Sequence, residues 1–216
     1  METKLTEQQS LQLITEMINK ARNNIQRGAG TFMIFWGYMV AIAALLNVAL
    51  VYILWNMSIS TNYSFHIWWI MAPAWIISFI LEHKKDSSAI VKTHIDNIIS
   101  SVWKAFGISN VIFLSGIFGL AYSLQDYNHF FYLINPILML MIGIGEFITA
   151  KVCHFRPFLY GAIAVWTGSA VSMLAIMLLK NGDGVLVQFI ILAVCMIIGF
   201  VVPGYKLNKL AKPNYA

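Results

Sequence analysis

Six long apolar runs, separated by short polar connections, leave this chain few ways to fold. They cover residues 32–55, 65–81, 98–124, 130–150, 158–179 and 185–205. A helix needs about 20 apolar residues to cross a hydrocarbon core, whereas a barrel strand crosses in about ten residues of alternating polarity. Unbroken runs of this length predict an all-α polytopic integral membrane protein, a six-transmembrane-helix bundle. Composition agrees: apolar residues make up 59% of the chain and charged residues 11%, against about 45–50% and 25% in soluble domains. The spans consume most of the 216 residues, so no soluble catalytic domain is expected.

Lys and Arg between the runs set the orientation. The N-terminal stretch, the connections after the second and fourth runs, and the C-terminal tail hold Lys4, Lys20, Arg22, Arg27, Lys84, Lys85, Lys92, Lys151, Arg156, Lys206, Lys209 and Lys212. The opposite connections hold only Lys180. Both termini are therefore expected in the cytoplasm. The same placement makes the net charge of +5 a topology signal, and no nucleic-acid partner is expected. The outer connections, 56–64, 125–129 and 180–184, are too short for an extracellular binding domain. Sequons at Asn56 and Asn62 matter only in a cell that glycosylates. Cys153 and Cys195 belong to no paired motif and read as buried free thiols. The polar first 27 residues and the long run after them predict a retained anchor rather than a cleaved signal.

"LTEQQSLQLITEMINKARNNIQRGAG" predicts a cytoplasmic amphipathic helix over residues 1–30, ahead of a membrane domain at 31–206 and a short basic tail at 207–216. Thr6 and Gln9 form a capping-box pair, and Gly28 and Gly30 are expected to end the helix. Leu11, Ile14, Ile18, Ala21 and Ile25 recur at intervals of three and four, giving one apolar stripe. That stripe needs a cover: the lipid interface, the protein's own loops, or a second copy as a short coiled coil. It is the candidate partner-helix face for a cytoplasmic protein or for self-association.

Within the spans, small residues recur at helical spacing: Gly37, Ala41 and Ala44; Ser101, Ala105 and Ser109; Gly161, Ala164, Gly168 and Ser172. Membrane helices associate through such close-packing stripes, so these are packing faces. Pro73 and Pro136 are expected to kink their helices. Aromatic–glycine pairs at Trp36-Gly37, Phe106-Gly107 and Tyr160-Gly161 hint at three repeated hairpins, although Pro203 breaks the pattern.

Candidate chemistry is sparse. Asn47, Asn110 and Asn135 read either as interhelical glue or as part of a solute path. Lys104 and Glu146 are the ionisable groups inside the runs, at depths about 6 Å apart on antiparallel helices. Three readings are open for them: a register-setting ion pair, independent snorkelling, or a transport or proton-relay site. With Asn110 and Asn135 they form the candidate intramembrane polar site. His83, His94 and His154 fall at the cytoplasmic edge, but no metal-binding spacing accompanies them, and interfacial histidines are the expectation. No phosphate loop, nucleophile motif or paired span carboxylates are present, so neither catalysis nor a cofactor is expected.

The segments "FMIFWGYMV" (32–40), "VKTHIDNIISSVW" (91–103) and "VVPGYKLNKLAK" (201–212), preceded by "LTEQQSLQLITEMI", resemble a family of small six-span bacterial inner-membrane proteins of unknown function. The resemblance implies a bacterial cytoplasmic membrane and carries over no activity, ligand or functional residue. The expected function is therefore non-enzymatic: regulation or scaffolding through the N-terminal helix and basic loops. The alternative is a small solute or ion transporter or channel that uses Lys104, Glu146, Asn110 and Asn135.

Overall fold

The structure, a computed structural model, describes residues 6–88, 94–125, 130–179 and 183–210, with side chains described for most of these. Every regular element among them is helical. In chain order they are α1 (Glu7–Asn56), a 3₁₀ helix (Thr61–Ile70), α2 (Met71–Ser88), α3 (His94–Leu124), α4 (Ile134–Cys153), α5 (Arg156–Leu178), α6 (Asp183–Met196), a π turn (Ile197–Val201) and α7 (Val202–Leu210). Among the described residues, five stretches are long and apolar enough to cross a membrane: Gly30–Asn56, Asn97–Leu124, Ile134–Cys153, Arg156–Leu178 and Asp183–Leu210.

The second apolar run is not among these five, because it is divided between the 3₁₀ helix and α2. Pro73 is the third residue of α2, directly after the 3₁₀ helix, and with no N–H to donate to the Trp69 carbonyl it falls where the winding changes from 3₁₀ to α. The ten 3₁₀ residues rise about 20 Å, against about 15 Å for ten α-helical ones, so the tighter winding lengthens the shortest run. This segment lies antiparallel along α1. Asn47 Nδ2 donates to the Ser64 carbonyl at 3.0 Å, and Trp36 Nε1 donates to Ser78 Oγ at 3.2 Å. Pro136 stands in the first turn of α4, so both prolines fall where α winding begins.

Two boundaries move. The capping box at Thr6 and Gln9 forms, but the helix does not stop at Gly28 or Gly30; α1 runs through both into the first apolar run. Gly30 serves instead as a crossing point, where an added Cβ would lie 2.7 Å from the Gly204 carbonyl oxygen. Gly204 is its reciprocal, 2.8 Å from the Gly30 carbonyl by the same measure. A glycine that predicts a helix end can equally permit backbone contact, and here the contact decides. At the other end, α7 continues to Leu210 with Leu207 buried, so the helical bundle takes in residues assigned above to the tail.

The core gathers Met139 and Ile142 of α4, Phe158 and Val165 of α5, Phe189 and Met196 of α6, and Met33 and Ala44 of α1. The small-residue faces of α1 and α5 turn inward: Gly37, Ala41 and Ala44 are buried, as are Gly161, Gly168 and Ser172, with Ala164 half-buried. The α3 stripe does not. Ser101, Ala105 and Ser109 are exposed, and α3 turns Gly107, Ile117 and Ala121 inward instead. Trp75 on Gly107 and Trp103 against Phe200 show why: the large rings claim the inner face.

Candidate functional site

Along α4, the buried positions Met139, Ile142, Gly143, Glu146, Thr149 and Ala150 follow the three-and-four spacing of a single helix face. Glu146 therefore points into the bundle, not at its outer surface. Its exposure is 0%, and neither carboxylate oxygen has a hydrogen-bond partner. Such a group is exceptional, since buried polar atoms in folded proteins are nearly always paired.

Two glycines from other elements make room for it. A Cβ at Gly199, in the π turn, would lie 3.2 Å from both Glu146 oxygens, and one at Gly161, in α5, would lie 3.2 Å from Oε2. The same added atom at Gly161 would sit 2.9 Å from the Gly199 carbonyl oxygen and 3.0 Å from its Cα, so α5 and the π turn touch backbone to backbone. Val165 closes one side of Gly199. Trp103 lies over Gly145 and meets Phe200 edge-on, with ring centroids 5.6 Å apart. The buried Thr149 hydroxyl donates back to the Gly145 carbonyl at 2.8 Å, and the Cys195 thiol to the Ala164 carbonyl at 3.6 Å.

The π turn has a cause in sequence. Pro203 has no N–H, so it cannot donate to the carbonyl four residues back, which is that of Gly199. The helix widens locally, and the Val202 N–H reaches five residues back to the Ile197 carbonyl. Single π turns inside α-helices occur frequently at functional sites. Glu146 precedes the end of α4 at Cys153 by about 10 Å of helix axis. That end carries Lys151 and is capped by His154, so the carboxylate lies nearer the basic end of the bundle.

The other candidate residues do not join it. Lys104 is exposed; it follows Trp103 by one position, about 100° round the helix, and Trp103 takes the inward direction. No ion pair links Lys104 with Glu146, whose oxygens are unpartnered. Asn110 is half-buried with an enclosed, unpartnered Oδ1. Asn135 is buried near the start of α4, about 16 Å along the axis from Glu146. His154 is exposed in the left-handed conformation, with φ 52°. The side chains of His83 and His94 lie outside the described residues. Among those described, no group of His, Cys, Asp and Glu could hold a metal ion.

Buried polar side chains act as interhelical glue, among them Asn47, Gln188 and Ser169, whose hydroxyl donates to the Pro136 carbonyl at 2.7 Å. Asn47 ties α1 to the 3₁₀ helix, and Gln188, 1% exposed, donates to the Tyr132 and Ser172 carbonyls at 3.1 and 3.2 Å. On the partner-helix face, Leu11 is exposed, and the side chains of Ile14, Ile18, Ala21 and Ile25 lie outside the described residues. Sequence reasoning missed Gly199 and took Pro203 only as a break in the repeat pattern, although their four-residue separation inside an apolar run is a legible signal for a carbonyl without its usual donor.

No protein-family model, curated protein or solved structure matches the chain. The site must therefore be read from its own chemistry. Chemically, a lone enclosed carboxylate beside a widened helix turn can bind positive charge reversibly.

Proposed function

We propose that this is a six-pass protein of the bacterial cytoplasmic membrane, with both termini in the cytoplasm, that moves a small solute or ion by way of Glu146. The return of the 3₁₀–α2 segment along α1 supports a sixth crossing. The contact of Gly30 with Gly204, and the Asn208 amide donating to Thr31 Oγ1 at 3.4 Å, favour the start of the first run and the end of the last lying on one side. An even number of crossings follows from that reading, and the Lys and Arg distribution makes the shared side cytoplasmic.

The burial of Glu146 without any partner carries the functional reading. A charge deep in the bilayer costs about 2.5–3.5 kcal/mol on insertion scales, and a methionine there would cost nothing comparable. Such a group marks a working site. Proteoliposome flux assays across monovalent ions and small metabolites test this. The protein should carry at least one of them, Glu146→Gln should abolish the flux, and Lys104→Met should preserve it. Uniformly negative assays beside a working control would overturn transport.

A second reading, regulation or scaffolding through the N-terminal helix, draws on Leu11 and Leu13, which are 64% and 43% exposed on a helix continuous with the first run. Deleting residues 2–27 should then change co-purified partners or oligomer size; no change in either removes that reading.

A further inference from the structure

We infer that Glu146 binds one monovalent cation, a proton or a sodium ion, between Gly161 and Gly199, at the turn that Pro203 keeps out of α-helical register. The inference deepens the transport reading by naming what the site holds. Three observations converge on it. The carboxylate is wholly buried, and both its oxygens lack partners. Two glycines from other elements face it, so backbone borders the oxygens on those two sides. The bordering turn is π-wound, and the Pro203 N–H that would serve the Gly199 carbonyl in an α-helix does not exist. In membrane transporters, irregular helix segments with exposed carbonyls commonly coordinate such ions.

Valence follows from counting charge. One carboxylate supplies one negative charge, so a monovalent cation leaves the site neutral, whereas a divalent ion would leave a net positive charge among Trp103, Val165 and Phe200. Among the described residues, the neighbours do not supply another charge. From α3, Trp103 faces the site while Lys104 is exposed; on α4, Lys151 is exposed, with its ammonium over the Phe147 ring at 5.4 Å from the centroid. From α5, Tyr160 is exposed; from α7, Tyr205 and Lys206 are exposed. The nearby titratable group on α6 is the Cys195 thiol, which donates to the Ala164 carbonyl.

Binding to the folded state alone raises stability with ligand concentration. The test is thermal unfolding of the full-length protein in detergent, comparing wild type with Glu146→Gln. One series varies pH at zero sodium; the other exchanges choline chloride for sodium chloride at constant ionic strength and alkaline pH. Above the dissociation constant, each tenfold rise in the bound cation should raise the wild-type Tm relative to Glu146→Gln by about 3–6 °C. A difference in the pH series alone assigns a proton; one in the sodium series assigns sodium. Parallel curves in both series overturn the site. Gly199→Ala, whose Cβ would crowd both oxygens, should flatten the wild-type response; if that variant fails to fold, the Glu146→Gln comparison still decides. The outcome is separable from transport: cation-linked stability without flux retains the site and removes the carrier, and flux without linkage does the reverse.

Discussion

Replacing Glu146 with methionine should stabilise the bundle while abolishing its activity. The methionine side chain is of similar length and fits the same space against Val165, Gly161 and Gly199, so little cavity is created. What disappears is a buried carboxylate whose two oxygens have no partner. An unsatisfied buried polar group costs about 1–3 kcal/mol, and more when charged. For a chain of this size, 1 kcal/mol moves Tm by about 2–4 °C, giving an expected rise of about 2–12 °C. The assay is thermal unfolding in detergent at alkaline pH with choline as the only added cation, so that ligand binding does not mask the gain. Glu146→Ala is the control: it removes the same charge but opens a cavity, and should fall below the methionine variant by about 2–5 kcal/mol. A methionine variant melting several degrees below wild type would refute the reasoning, because only a carboxylate with real partners stabilises its fold.

Glycine substitutions should separate contact from open surface. Gly30→Ala drives a Cβ to 2.7 Å from the Gly204 carbonyl oxygen and should destabilise by about 1–3 kcal/mol, whereas Gly116→Ala, with nothing within 4 Å, should gain up to about 1 kcal/mol in helix propensity. A double-mutant cycle of Lys104→Met with Glu146→Gln should give a coupling within about 0.5 kcal/mol of zero; a larger value would mean the two charges meet. Membrane-impermeant thiol labelling of intact cells should mark a cysteine placed at Asn62 or Asn128 and spare one at Lys85 or Lys209, and the opposite pattern would invert the proposed orientation.

The helical class and the apolar stretches were legible because run length and lack of alternation admit only helices. The divided second run was not, since 3₁₀ and α windings share a composition and the choice rests on packing beside α1. The two glycine signals divided similarly. Gly28 and Gly30 satisfy the pattern for a helix end, but only the partner at Gly204 reveals that Gly30 is a crossing point. Glu146 stood out as an acid in an apolar run, and helical periodicity places it on the packed face with Met139 and Ile142. Of the three readings open for Lys104 and Glu146, the ion pair is the one the structure does not form, for a rotational reason: matching depth brings two residues to one level, but Trp103 occupies the inward direction and Lys104 is exposed. Gly161 was visible as a packing glycine; that it borders a carboxylate depends on α5 meeting the π turn, which no local spacing encodes.

Infrared difference spectroscopy on the reconstituted protein tests the central claim most directly, because it watches the carboxyl group itself. Switching between cation-poor and cation-rich buffer, by pH in one experiment and by sodium in another, should produce a carboxyl or carboxylate difference band in the wild type that is missing from Glu146→Gln and retained in Lys104→Met. A spectrum without such a band, or one left unchanged by Glu146→Gln, would contradict the assignment of Glu146 as the cation-binding group.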